Sequence, residues 1–125
     1  MKLRYAAALC LPFVAACNMT PMTTSDINQL YSNTTSLSAD KSYANYYAAS
    51  GKYTSTNLKT GEAKSGTWSA KDPDQICIQN PNEVCFKMAK TEDAVQFTAP
   101  NGKTSKRKLD EYLSGNQTQV LLNNK

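Results

Sequence analysis

The sequence contains no histidine. Histidine is the most frequent general base at neutral pH and a common metal ligand, so its absence excludes His-dependent catalytic triads and His-bound metal sites. Long apolar segments are missing as well, since the longest run covers only residues 5–16. A transmembrane helix needs about 20 apolar residues, and Pro12 would disrupt a helix in this run.

The N-terminal residues show the pattern of a secretory signal. Lys2 and Arg4 precede the apolar run, and the small residues Ala15 and Ala16 end it, which is the order of a basic region, a hydrophobic region and a cleavage site. Residues 14–17, with the sequence VAAC, resemble the lipobox of bacterial lipoproteins. The resemblance implies cleavage between Ala16 and Cys17 and a lipid on the Cys17 thiol, which makes the membrane a partner.

The residue after the cysteine bears on the destination of such a lipoprotein. In this class an Asp at that position favours the inner membrane, whereas here Asn18 follows Cys17. The resemblance therefore implies the periplasmic face of the outer membrane. Two alternatives stay open: ordinary signal cleavage after Ala16, which leaves Cys17 as a free thiol, and retention of the segment as an uncleaved anchor.

Removal of the signal changes the size and the charge of the protein. Loss of residues 1–16 from the 125-residue chain leaves 109 residues, enough for one small domain. Lys2 and Arg4 leave with it, so 12 basic residues face 10 acidic ones and the net charge falls from +4 to +2. This small excess does not predict nucleic-acid binding.

The signal also changes the interpretation of the four cysteines. Cys10 would be removed and Cys17 would carry lipid, which leaves Cys77 and Cys85 in a compartment that permits disulfides. We therefore predict a Cys77–Cys85 disulfide. Two cysteines without histidine make a poor zinc site, so neither a metal site nor a cofactor is predicted.

The pattern after the signal predicts an all-β domain over residues 43–116. Short β-prone runs alternate with turns, which indicates an antiparallel meander of about seven strands. Residues 17–42 are expected to be a lipid-anchored tether with a short helix over 25–31 and Ser25 as its N-cap, and residues 117–125 a loose tail in which residues 120–122 could dock. The predicted strands are 43–47, 52–58, 63–70, 75–79, 83–88, 94–99 and 103–109.

Cys77 and Cys85, the two cysteines that remain after the signal and the lipidation site, lie in one predicted hairpin. If its turn is centred on Pro81, Cys77 lies opposite Cys85. The same register pairs the apolar residues on the other face, because side chains alternate between the faces of a strand. One register thus satisfies both sets of pairs, which are Cys77 with Cys85, Ile76 with Phe86 and Ile78 with Val84.

The stretch from about Tyr43 to Asn116 resembles a family of small secreted proteobacterial proteins whose function is unknown. The resemblance is carried by Tyr46-Tyr47, Gly66-Thr67-Trp68, Ile76-Cys77-Ile78, Val84-Cys85-Phe86 and Leu113-Ser114-Gly115-Asn116. It implies a meander curled into a half-barrel or a small sandwich. It implies no catalytic residues.

Two groups of residues are candidates for a contact surface. Lys103, Lys106 and Lys108 form a basic cluster, in which Arg107 faces the opposite way. Such a cluster suits an anionic lipid, lipopolysaccharide or an acidic partner, although a charged edge strand that prevents sheet association is the alternative. Tyr46 and Trp68 are the aromatic candidates, with a purely structural role as their alternative.

No motif predicts an enzyme. Residues 38–41 fit S-x-x-K and residues 64–66 fit K-[ST]-G, but the penicillin-recognising enzymes that carry both need a far longer chain and a third motif. The acidic pairs lie in turns or near an end of the domain, where acids are usually solvated. We predict a non-enzymatic lipoprotein that acts as a binding or accessory module for an envelope partner. The alternative is an inhibitor of an envelope-directed lysozyme or protease.

Overall fold

The computed structural model describes residues 19–124. The predicted signal, its cleavage site at Ala16 and the lipidation site at Cys17 lie outside the described residues.

The described chain forms ten β-strands, two α-helices and one 3-10 turn, Leu109–Glu111. The helices are α1, Thr24–Tyr31, and α2, Thr118–Asn123. The strands are β1 (Thr20–Pro21), β2 (Thr34–Leu37), β3 (Tyr43–Tyr47), β4 (Lys52–Asn57), β5 (Ala63–Lys71), β6 (Gln75–Gln79), β7 (Glu83–Lys90), β8 (Ala94–Thr98), β9 (Thr104–Lys108) and β10 (Tyr112–Ser114).

The strands form one antiparallel sheet that is nearly closed into a barrel. Strands β2 to β9 pair in chain order, and β10 returns to pair with β2. Strands β9 and β10 are therefore the two ends of the described sheet and do not pair with each other. The 3-10 turn joins them across this gap, which we call the seam. The predicted all-β meander is confirmed.

All seven predicted strands are present, and their ends shift by three residues or fewer. Strands β1, β2 and β10 are additional. The sequence of β2, Thr-Thr-Ser-Leu, has no apolar alternation, yet Thr34, Thr35 and Ser36 are all buried. The hydroxyl of Thr35 donates to the carbonyl of Gly115 at 2.7 Å and accepts from the backbone N–H of Gln117 at 3.0 Å. A buried polar side chain is tolerated when its hydrogen bonds are made inside the protein.

The expected tether is largely part of the folded domain. Met22, Ile27 and Tyr31 are 2%, 0% and 3% exposed and belong to the main core. Helix α1 begins one residue earlier than predicted and is capped by Thr23, not by Ser25. Thr23 and Asp26 bond reciprocally through side chain and backbone, at 3.0 and 3.1 Å, in a capping box.

The described part of the expected tail is also ordered into an element. Helix α2 packs against the outer side of β3, and Leu121 shares a groove with Leu37 and Leu58. Leu58 is 7% exposed although it lies in a turn. Leu121 of the tail therefore docks, as the sequence allows, while Val120 remains 52% exposed.

The hairpin β6–β7 has the predicted register and carries the predicted disulfide. Cys77 pairs with Cys85, and their Cα atoms are 4.0 Å apart. The neighbouring pairs, Ile76 with Phe86 and Ile78 with Val84, lie on the other face of the hairpin. Gly66 permits a close approach of β5 to the end of β6, since a Cβ at this position would overlap the carbonyl oxygen of Gln79.

We predict that loss of the disulfide destabilises the domain. The bridge closes a loop with a sequence separation of 8. Restricting so short a loop in the unfolded chain contributes about 2–3 kcal/mol. Urea unfolding of Cys77→Ser/Cys85→Ser should show a free energy of unfolding lower by about this amount, and reduction of the parent protein should give the same change. An unchanged midpoint in both experiments would contradict the prediction.

Candidate binding cavity

The inner face of the sheet lines a partly open cavity of 170 Å³. Its lining comes from widely separated parts of the chain, because α1 and every strand from β2 to β10 except β5 contribute side chains to it. One wall carries hydroxyl groups and the opposite wall is apolar. The side chain of Arg107 lies between them at the seam.

Tyrosines form most of the polar wall. The hydroxyls of Tyr31 and Tyr112 are hydrogen-bonded to each other at 2.7 Å. The hydroxyl of Tyr53 donates to the Asn45 side-chain oxygen at 3.2 Å. The ring of Tyr47 packs edge-on against Tyr31 and Tyr53, with centroid distances of 4.7 and 5.1 Å. Edge-to-face contacts hold these rings in place and leave few alternative rotamers.

The apolar wall comes from the disulfide hairpin and from β8. Ile76, Ile78 and Phe86 point inward from the hairpin, because the cysteines occupy its outer face. Phe86 packs edge-on against Phe97 of β8, with ring centroids 5.9 Å apart. Met88 completes this wall and is 2% exposed.

Arg107 is the charged residue of the cavity. It pairs with Val95, which is fully buried, so its side chain points to the inside of the sheet while its neighbours Lys106 and Lys108 point outward. Its guanidinium carbon lies 5.0 Å from the ring centroid of Phe97, within cation–π range. One of its nitrogens, Nη1, donates to the carbonyl of Lys106 at 3.1 Å.

No counterion for Arg107 is found in the described part of the chain. The ion pairs between residues 19 and 124 join Lys71 with Glu83 and Lys90 with Asp26. Within this range the cavity lining also contains no acidic side chain. Among residues 19–124 the guanidinium therefore has no carboxylate within ion-pair distance.

Burial controls the ionisation of the tyrosines. It raises the pKa of Tyr112 to about 12 and the pKa values of Tyr31 and Tyr47 well above their ordinary value. The positive charge of Arg107 opposes this effect weakly at all three hydroxyls. The three hydroxyls consequently remain protonated, and able to donate hydrogen bonds, throughout the physiological pH range.

The predicted contact residues do not form one surface. Lys103, Lys106 and Lys108 are exposed on or beside β9, which is an edge strand, as the structural alternative expected. Lys106 and Lys108 share an outer groove with three carboxylates, those of Asp93, Asp110 and Glu111, which offset their charge.

The two aromatic candidates separate as well. The hydroxyl of Tyr46, on the outer face, donates to the Asn33 side chain at 2.8 Å. Trp68 is 6% exposed, and its indole N–H donates to the carbonyl of Ala48 at 2.8 Å. Trp68 is thus a core residue and not part of a contact surface, because it lies on the inner face between β4 and β6.

One group of potential metal ligands occurs in the described residues. Glu83 lies beside Cys77 and Cys85, but both sulfurs are committed to the disulfide and the Glu83 carboxylate pairs with Lys71. None of the helices between residues 19 and 124 has the length and apolar character needed to cross a membrane.

Comparison with protein-family models, curated proteins and solved structures finds no match. The resemblance of residues 43–116 to the uncharacterised secreted family, and that of residues 14–17 to the lipobox, therefore stay predictions. The cavity residues have to be interpreted from their own chemistry.

We predict that stability falls as the pH rises through the range from 10 to 12. The buried tyrosines have folded-state pKa values above their ordinary value of 10.0, so the unfolded chain loses these protons first. The contribution of these raised pKa values to the free energy of unfolding is fully present below pH 10 and is lost as the pH rises above it. Tyr112 alone accounts for on the order of 2 kcal/mol.

Urea unfolding at a series of alkaline pH values, followed together with tyrosinate absorbance, tests this prediction. Tyr112→Phe should reduce the alkaline loss of stability, whereas the exposed Tyr43→Phe should leave it as in the parent. A midpoint that stays constant across this pH range would show that the hydroxyls titrate as freely in the folded protein as in the unfolded chain.

Proposed function

We propose that this protein is a non-enzymatic binding module of the bacterial cell envelope, tethered through a lipid on Cys17, whose barrel holds a small ligand. The observation that carries the proposal is the 170 Å³ cavity with one apolar wall and one wall of tyrosine hydroxyls. Small-molecule sites combine an apolar lining with a few placed polar groups. An apolar cavity of about 150 Å³ accommodates benzene, so the ligand would be of single-ring size.

The proposed tether is short. Strand β1 begins at Thr20, three residues after Cys17, and an extended chain covers at most about 3.6 Å per residue. The barrel would thus be held within roughly 10 Å of the lipid attachment point. A tether of this length keeps the module at the membrane surface, where we propose the periplasmic face of the outer membrane.

Lipidation predicts a specific dependence on one cysteine. Cys17→Ala should abolish incorporation of labelled fatty acid and release the protein from the membrane fraction, because the thiol is the attachment point. The matched control is Cys77→Ser/Cys85→Ser, which should retain the label. Labelling that persists in Cys17→Ala would refute the tether without affecting the cavity.

Binding of a ring-sized molecule tests the cavity itself. Residues 18–125 contain the whole described fold, and benzyl alcohol should bind to them in ligand-observed NMR and raise the melting temperature. Ile78→Phe places a larger ring in the cavity and should abolish this binding, whereas Lys87→Phe, on the exposed outer face of the same hairpin, should not. Absence of binding to a folded parent protein would contradict the proposal.

One observation favours a second candidate, an inhibitor of an envelope-directed lysozyme or protease. The turn between β6 and β7 is exposed at Pro81 and Asn82, and the disulfide holds its base. A rigidly presented loop loses little entropy on binding. Inhibition assays with residues 18–125 against several lysozyme types and proteases separate this candidate from the first.

A further inference from the structure

Arg107 determines which kind of ring-sized ligand the cavity suits. A charge in a partly buried site is costly unless a charge of opposite sign compensates it. The described residues place no carboxylate within ion-pair distance of this guanidinium and none in the cavity lining, although Glu111 acts electrostatically on the nearby Tyr112 hydroxyl. A ligand that carries its own negative charge would supply the missing compensation.

The hydrogen-bond donors of the cavity also favour an anionic ligand. A guanidinium has five N–H donors, and the structure shows one hydrogen bond from Arg107, to the carbonyl of Lys106. The guanidinium N–H groups that are left are arranged in a planar fork, and this fork matches the two oxygens of a carboxylate. In the Tyr31–Tyr112 pair one hydroxyl hydrogen lies between the two oxygens, so the second hydrogen is available for another acceptor.

The position of these donors indicates how the ligand would be oriented. Arg107 belongs to β9 and Tyr112 to β10, the two strands that border the seam. The apolar wall, with Phe86 and Phe97, lies on β7 and β8, on the β9 side of the seam. An acid group at the seam and an apolar body against the phenylalanines would satisfy both halves of the cavity.

We propose that the cavity binds a small monocarboxylate with an apolar body of single-ring size, its carboxylate on Arg107 and the Tyr31–Tyr112 pair and its ring against Phe86 and Phe97. The inference rests on the proposed binding function and specifies its ligand class. One guanidinium matches one negative charge, and the apolar wall offers nothing to a compact inorganic polyanion.

Benzoate and benzyl alcohol test the charge requirement, because they have nearly the same size and differ in charge. Residues 18–125 should bind benzoate about tenfold more tightly or better in calorimetric or NMR titrations, since a charge-assisted hydrogen bond contributes more than a neutral one. Arg107→Gln should remove this preference, so that benzoate no longer binds more tightly than benzyl alcohol. Lys106→Gln is the matched control on the outer face and should retain the preference.

Several outcomes would overturn the inference, and they are distinguishable from failure of the binding function. Equal affinities for the two probes, or a preference that survives in Arg107→Gln, would reject the anionic ligand and keep the cavity as a binding site. Benzoate binding that survives in Ile78→Phe would place the anion elsewhere. Displacement of benzoate by equimolar inorganic phosphate would show that the apolar body of the ligand has no part in binding.

Binding of neither probe would reject the cavity function as a whole. If Arg107→Gln does not fold, Arg107→Lys provides the second variant. It keeps the charge and loses the planar fork, so the preference for benzoate should weaken without disappearing. A preference equal to that of the parent would show that the guanidinium geometry has no part in binding.

Discussion

The pairing of β10 with β2 is the constraint on which the rest of the structure depends. It joins a strand near the C-terminus to one near the start of the described chain, with Tyr112 opposite Ser36 and Ser114 opposite Thr34. Without this pairing the sheet would be an open meander with one face in solvent. With it, the inner face becomes an interior, and the tyrosine hydroxyls lose the water that would otherwise stabilise their ionised form.

The hairpins were predictable from the sequence because their determinants are local. Turn residues separate β3 to β9, and alternating apolar residues mark strands such as β8. The single register that pairs the cysteines with each other and the isoleucines with Phe86 and Val84 defines the disulfide hairpin. The orientation of Arg107 also follows from alternation along β9, since Lys106 and Lys108 take the outer face.

The closure and the cavity were not predictable, because they depend on contacts distant in sequence. Thr35 is buried only because Gly115 and Gln117 satisfy its hydroxyl from 80 and 82 residues away. A Thr-Ser segment of this kind resembles a linker as long as its partners are unknown. The same limitation applies to Trp68, since an aromatic residue on a strand can face either side, and only the curvature of the sheet encloses it.

The disulfide hairpin β6–β7 takes part in both candidate functions, because it lines the cavity and also carries the exposed turn. Its sulfurs lie on the outer face of β6 and β7 and hold Ile76 opposite Phe86 on the inner face, where both line the cavity. Strand β1 pairs at the Lys90 end of β7, and the exposed turn follows Gln79 at the other end, about 23 Å away for a strand of this length. If Cys17 carries the proposed lipid, the Lys90 end of β7 is the end of the hairpin nearer to the attachment point. Ile78 of the cavity lining lies next to Gln79, where the turn begins, so the two candidate sites adjoin at this end of the hairpin.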